Sequence, residues 1–274
     1  MSDQGDPLAR IAEALERLAP ARAAKFDWLS APAYVWDGTA RAVTQLVAPH
    51  LDLLKGIDDQ KRAVVGNVAR LAAGHAAHDM LLWGSRGMGK SALLRAAILA
   101  AQNAAAGRIA LVQVAPEALS SLAVLFGQLA GQPRSFLVFI DDLGFEDNDS
   151  AGPRALRSWL EGGIEARPAN VRIAVTSNRR AIVARHLVEQ DDPINPRDAV
   201  DDRLALADRF GLSIGFHNCS QDDYLAIIAG YCAELALDWT EGEALEWSKR
   251  RGARSGRVAW QFVTELAGRV GKSL

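Results

Sequence analysis

The sequence predicts an α/β protein whose parallel sheet is covered by helices on both faces, followed by a small all-α domain. Two patterns carry that prediction. Apolar runs of strand length alternate with helical stretches from Leu51 to Phe216, and beyond Phe216 only helical periodicity continues. Strands that are apolar throughout, rather than at every second residue, are buried on both sides, as strands of parallel sheets are. The length of 274 residues suits one large domain and one small one.

In chain order, residues 1–50 read as an N-terminal helical extension. Leu8, Ile11, Leu15 and Leu18 recur at helical spacing and mark a packing face. An irregular aromatic stretch with Trp28, Pro32, Tyr34 and Trp36 follows, and a second helical stretch is expected from about Thr39. Residues 51–216 form the α/β domain. Strands are expected over 79–84, 108–114, 135–140, 171–176 and 212–216, with helices over about 58–73, 91–102, 116–130 and 153–162. Residues 217–274 read as three helices, over 222–235, 241–250 and 255–270.

Composition narrows the function classes. The formal net charge is −2, which argues against a chain held to nucleic acid by its overall field, although a local basic patch stays open. The two cysteines, Cys219 and Cys232, have no metal-ligand spacing, so reduced thiols and a cytoplasmic setting are expected. The start, MSDQGDPLAR, is polar and acidic, and no apolar run is long enough for a bilayer; no membrane partner is expected.

The most specific motif joins the 79–84 strand to the next helix. Gly84, Ser85, Arg86, Gly87, Met88, Gly89, Lys90 and Ser91, with Ala92 continuing the helix, match GxxxxGK[ST]. Glycines let the backbone curl so that N–H groups surround phosphate oxygens, and the helix start adds its dipole. The Lys90 ammonium reaches β- and γ-phosphates, and the Ser91 hydroxyl is a Mg²⁺ ligand. The strand at 135–140, SFLVFI, ends in Asp141, which stands beside that loop as a second metal ligand. Asp142 holds the position of a water-polarising acid, and Glu146 is its substitute if the loop folds back; a helix cap or turn is the alternative for Asp142. Asn178, at the tip of the 171–176 strand, can orient water or sense the γ-phosphate, or simply form a turn. Arg209, in LADRFG, lies where an adjacent subunit's nucleotide is reachable, with Arg203 as second candidate and a local salt bridge as rival. Arg257 begins the last helix. With Lys249, Arg250, Arg251 and Arg254 it is a γ-phosphate sensor, a solvated surface or, third, a nucleic-acid contact.

Taken in order, these blocks resemble the AAA+ type of P-loop NTPase over residues 51–274. More narrowly, IDDLGFED, LEGGIEARP, TSNRR and ADRFGL are similar to one bacterial AAA+ family known as domain of unknown function 815. The resemblance implies a Walker A loop at 84–91, Walker B at Asp141 and Asp142, sensor 1 at Asn178, an arginine finger at Arg209 and sensor 2 at Arg257. It also implies that LKGIDDQK (54–61) contacts adenine through Gly56 and Ile57. The implied fold is a five-stranded parallel sheet with the site at the strands' carboxyl ends and a helical lid. The implied activity is hydrolysis of ATP with Mg²⁺ in a homo-oligomeric ring or spiral that remodels a protein client. Because IDDLG is also similar to helicase-loader and transposase-helper ATPases, a slow nucleotide switch or loader acting on a protein or single-stranded DNA is the alternative. Asp142 departs from the glutamate that many AAA+ proteins carry, which argues against fast turnover, although the narrower family is similar in carrying the aspartate pair.

Overall fold

The computed structural model describes residues 26–143, 156, 159–160, 167–178 and 208–274. The stripe at 8–18, most of the helix expected over 153–162, Glu146 and Arg203 lie outside them. Among the described residues the chain forms β1 (Ala33–Trp36), β2 (Ala40–Val43), α1 (Asp58–Ala72), β3 (Met80–Gly84), α2 (Lys90–Ala104) and β4 (Ile109–Val114). Next come α3 (Leu122–Leu129), β5 (Ser135–Ile140), β6 (Val171–Ser177) and β7 (Leu212–Phe216), then α4 (Gln221–Leu235), α5 (Glu241–Arg251) and α6 (Gly256–Arg269).

One sheet runs in the order β2-β1-β4-β5-β6-β3-β7, parallel except at the β1–β2 hairpin. Val175 of β6 pairs with Ile140 of β5 on one side and Leu81 of β3 on the other. The carboxyl ends of β5, β6 and β3 are therefore adjacent. Successive strand residues point to opposite faces. Met80, Leu82, Leu137, Phe139 and Phe216 join a core with α1, α2 and the three C-terminal helices. Leu81, Val138, Ile140, Ile173 and Val175 join a second core with α3, Trp28, Tyr34 and Trp36.

Seven strands stand where five were expected, and the two additions replace the helix expected from Thr39. Asp37 Oδ1 accepts from Thr39 N (3.1 Å) and Thr39 Oγ1 (2.9 Å), closing a turn that folds β2 back on β1. β1 then pairs with β4, and Tyr34 and Trp36 are buried in the second core. Four-residue strands are too short to display a period; burial of aromatic side chains against a neighbouring strand decides their state. The helix expected over 116–130 is also divided, with a 3-10 segment (Pro116–Ser121) ahead of α3. Its last residue is committed elsewhere: Ser121 Oγ donates to Ala118 O (2.7 Å) and accepts from Trp36 Nε1 (2.8 Å).

The C-terminal helices start at side-chain caps. Ser220 Oγ accepts from Asp223 N (3.0 Å) and Asp223 Oδ2 accepts from Ser220 N (3.3 Å), a reciprocal capping box for α4. Thr240 caps α5, and Ser255 Oγ accepts from Val258 N (3.2 Å) to begin α6. No helix among the described residues is long and apolar enough to cross a membrane.

Candidate functional site

The turn from β3 into α2 builds the loop. Gly89 is the N-cap of α2 at φ +87°, and among the described residues no side chain caps the first helical N–H groups. Those donors suit an anion. Gly87 (φ +74°) accepts from Arg257 N through its carbonyl (3.2 Å). A Cβ there would stand 2.9 Å from Ser255 Oγ and 3.0 Å from Arg257 Cβ, so the loop meets the start of α6 at a point where only glycine fits.

Lys90 is buried, and its Nζ donates to Gly84 O (2.8 Å), Ser85 O (2.9 Å) and Asn178 Oδ1 (3.0 Å). Burial lowers its pKa from the ordinary lysine value; the Asp142 and Asp141 carboxylates pull the other way, and Arg257 and Arg86 add to the lowering. A group desolvated in this manner gains from phosphate oxygens more than an exposed lysine would.

Two carboxylates leave the end of β5 in succession. Asp141 Oδ1 accepts from Ser91 Oγ (2.7 Å) and from Thr176 Oγ1 (2.6 Å). Asp142 takes φ +52°, left-handed for a non-glycine residue, and its N–H donates to Thr176 Oγ1 (2.8 Å). Its carboxylate accepts from Asn178 Nδ2 and lies 4.0 Å from Arg86 Nη2. Asn178 thus holds Lys90 with its oxygen and Asp142 with its nitrogen.

A cavity of about 390 Å³ opens over this cluster. Its polar end is lined by Gly87, Gly89, Lys90, Ser91, Asp141, Asp142, Asn178 and Arg257, with Met88 and Ala92 beside them. Its apolar end is lined by Leu53, Leu54, Ile57, Ile227, Tyr231 and Trp260, and the Tyr231 and Trp260 rings lie 4.8 Å apart. Gly84 and Ser85 reach the cluster through their carbonyls, and Arg86 through Asp142. Gly56 lies against Asp223 at the start of α4, outside the lining. Arg209 sits in the turn before β7. Since Leu212 pairs with Met80 in parallel register, that turn is at the sheet end opposite the loop, and the chain does not bring Arg209 to its own cluster.

The sequence patterns do not single out Tyr231, Trp260 or Thr176. Trp260 follows Arg257 by one helical turn, a spacing that puts both on one face of α6. Thr176 is the first of two hydroxyl residues, with Ser177, that close β6 after the apolar run 173–175.

The chemistry of the cleft fits a nucleotide: uncapped helix amides and an ammonium at one end, aromatic and aliphatic walls at the other. It fits Mg²⁺ as well. A hydroxyl that donates its proton to Asp141 keeps a lone pair for a cation, and Mg²⁺ takes one or two protein oxygens with the remainder from phosphate and water.

A sequence profile of the family described as "Protein of unknown function (DUF815)" matches residues 29–270. No curated protein matches the chain. Among solved structures it is similar to the Thermotoga maritima RuvB Holliday junction branch migration motor, with TM-score 0.53, 18% identity, and coverage of 83% of this chain and 68% of that one. It is similar to the Aeropyrum pernix Orc1 protein in complex with DNA (TM-score 0.53, 15% identity, 81% and 62% coverage). The FIGL-1 AAA domain in complex with ADP gives TM-score 0.52, 16% identity, and 82% and 76% coverage. At such identities the likeness is one of fold, and the fold is that of AAA+ domains.

Proposed function

The chain belongs to the DUF815 protein family, and from its AAA+ fold and the cluster above we propose that it is a Mg²⁺-dependent ATPase that works as an oligomer on a protein partner. The observation that carries the reading is the convergence of Lys90, Ser91, Asp141, Asp142 and Asn178 at the carboxyl ends of three adjacent strands, under the start of α6.

Lys90 and the amides of 87–91 hold the β- and γ-phosphates. Ser91 and Asp141 would hold the metal, which would supply neutralisation of the phosphates' charge. Asp142, with Glu146 as its alternate, orients a water whose oxygen bonds to the γ-phosphorus. The bond from that phosphorus to the bridging oxygen breaks, ADP leaves with the electron pair, and the water's proton passes to the carboxylate or the released phosphate. Asn178 fixes the acid, and Arg257 carries the state of the γ-phosphate into α6. Arg209 serves the nucleotide of a second copy, a contribution worth roughly three to five orders of magnitude in related chemistry. Ile57, at the apolar end of the cavity, meets the base.

Phosphate release measured against chain concentration tests this. The rate per chain is expected to rise with concentration and to lose that rise in Arg209→Ala; no release from Mg·ATP at any concentration would contradict the reading. One observation favours a slower device. Asp142 is already engaged by Asn178 and is one methylene shorter than glutamate, which suits a switch that holds ATP and releases a client, protein or single-stranded DNA, upon rare hydrolysis. Single-turnover kinetics far slower than nucleotide exchange would select the switch, and absence of any effect of single-stranded DNA at low salt would exclude DNA as its client.

A further inference from the structure

Thr176 is buried and lies outside every role assigned so far. Its hydroxyl has one proton and two neighbours. The Asp142 N–H can only donate, so Thr176 Oγ1 accepts there (2.8 Å), and its own proton must go to Asp141 Oδ1 (2.6 Å). The orientation of the hydroxyl is fixed by its partners. The backbone carbonyl of Thr176 also accepts from Leu143 N (2.9 Å). One residue therefore grips the chain on both sides of Asp142, whose left-handed φ of +52° no glycine relieves.

We propose that Thr176 is the positioning residue of this site: its hydroxyl sets the metal-facing carboxylate of Asp141 and the water-facing carboxylate of Asp142 relative to each other. The inference rests on the nucleotide reading above. Asp141 Oδ1 is shared between Ser91 and Thr176. When Ser91 turns its lone pair to a cation, Thr176 keeps Asp141 from following. The Asp142 N–H bond keeps that residue in the conformation that presents its carboxylate to Asn178 and Arg86. Without the hydroxyl, the N–H loses its partner and residue 142 is free to return to an ordinary φ, carrying the carboxylate away.

The test compares full-length Thr176→Val, which keeps the shape and removes the hydroxyl, with Thr176→Ser, which keeps the hydroxyl and removes a methyl. Three quantities are read: metal-free ADP affinity, the Mg²⁺ concentration at half-maximal turnover, and kcat against KM for ATP. Thr176→Val is expected to raise the Mg²⁺ midpoint about tenfold and to lower kcat about tenfold to a hundredfold, the scale of one lost bond to a charged group. ADP affinity without metal and KM should stay within about threefold, and Thr176→Ser within about threefold in everything. A merely structural role would lower thermal stability and leave the Mg²⁺ midpoint unmoved. If Thr176→Val does not fold, Thr176→Ala is read in the same way. The inference is overturned by a folded hydroxyl-less variant with wild-type kcat and Mg²⁺ midpoint, or by Thr176→Ser as impaired as Thr176→Val. Wild-type chain that neither binds nor hydrolyses Mg·ATP removes the nucleotide reading itself, a failure visible before any variant is made.

Discussion

The two ends of the sheet both hold charged side chains, and they use them differently. At the amino ends, Arg134 is buried and donates to Trp28 O (3.2 Å), Ala31 O (3.0 Å) and Ile109 O (2.7 Å). Asp79 Oδ1 accepts from Ile173 N (2.7 Å), its other oxygen pairs with Arg167, and Arg172 Nε donates to Ala77 O (2.6 Å). These charges are consumed in tying backbone segments together. At the carboxyl ends, Lys90, Asp141, Asp142 and Asn178 bond mainly among themselves and their own loop, beneath a cavity. Burial lowers the pKa of Arg134 and Arg172 just as it lowers that of Lys90. A perturbed pKa therefore does not distinguish the two ends; where the donors point does.

Substitutions at each end break or sharpen that contrast. The largest effect is expected from Asp79→Ala, which strands the half-buried Arg167 and removes the acceptor of Ile173 N. Breaking a buried pair costs about 3–5 kcal/mol, and partial exposure of Arg167 puts this case near the lower figure. Thermal melting should fall by roughly 6–12 °C for a chain of this size, with nucleotide affinity unchanged in the surviving fold. A loss of affinity beyond that explained by unfolding would join the two ends functionally. Asp142→Asn comes next. Asparagine tolerates the left-handed backbone, so the fold should be kept while turnover drops about a hundredfold and ATP binding persists. Unchanged turnover would move the water-orienting role to Glu146.

The smallest effect is one of pH. Phosphates favour the ammonium form of Lys90, whose pKa the fold has lowered. Affinity is then complete below that lowered pKa and declines as pH rises through it, before an exposed lysine would titrate. Nucleotide affinity measured from neutral to alkaline pH should decline in the wild type and stay flat in Lys90→Arg, which keeps its charge. Parallel curves would assign the titration to another group.

What could be read from the sequence follows the range of the physics involved. The loop 84–91 and the strand 135–140 ending in Asp141 are local patterns, and the structure puts them side by side. The aromatic wall of Tyr231 and Trp260 exists because the C-terminal helices dock on the core of α1 and α2, and Thr176 matters because β6 pairs with β5 so that Val175 faces Ile140. Neither docking nor register is written in one segment. Asp37-Gly38 is a turn signal, but the hairpin is not legible from its own residues, since β1 is held by pairing with β4 and β2 in turn by pairing with β1.

The account stands on the carboxyl-end cluster gripping a nucleotide's phosphates. Calorimetric titration of Mg·ATP into the wild type and into Lys90→Ala tests it directly. The account predicts saturable binding by the wild type and at least about a hundredfold weaker binding by the variant, the loss of a buried charge on phosphate. Equal affinity in the two, or no heat from a folded wild-type chain, would contradict it.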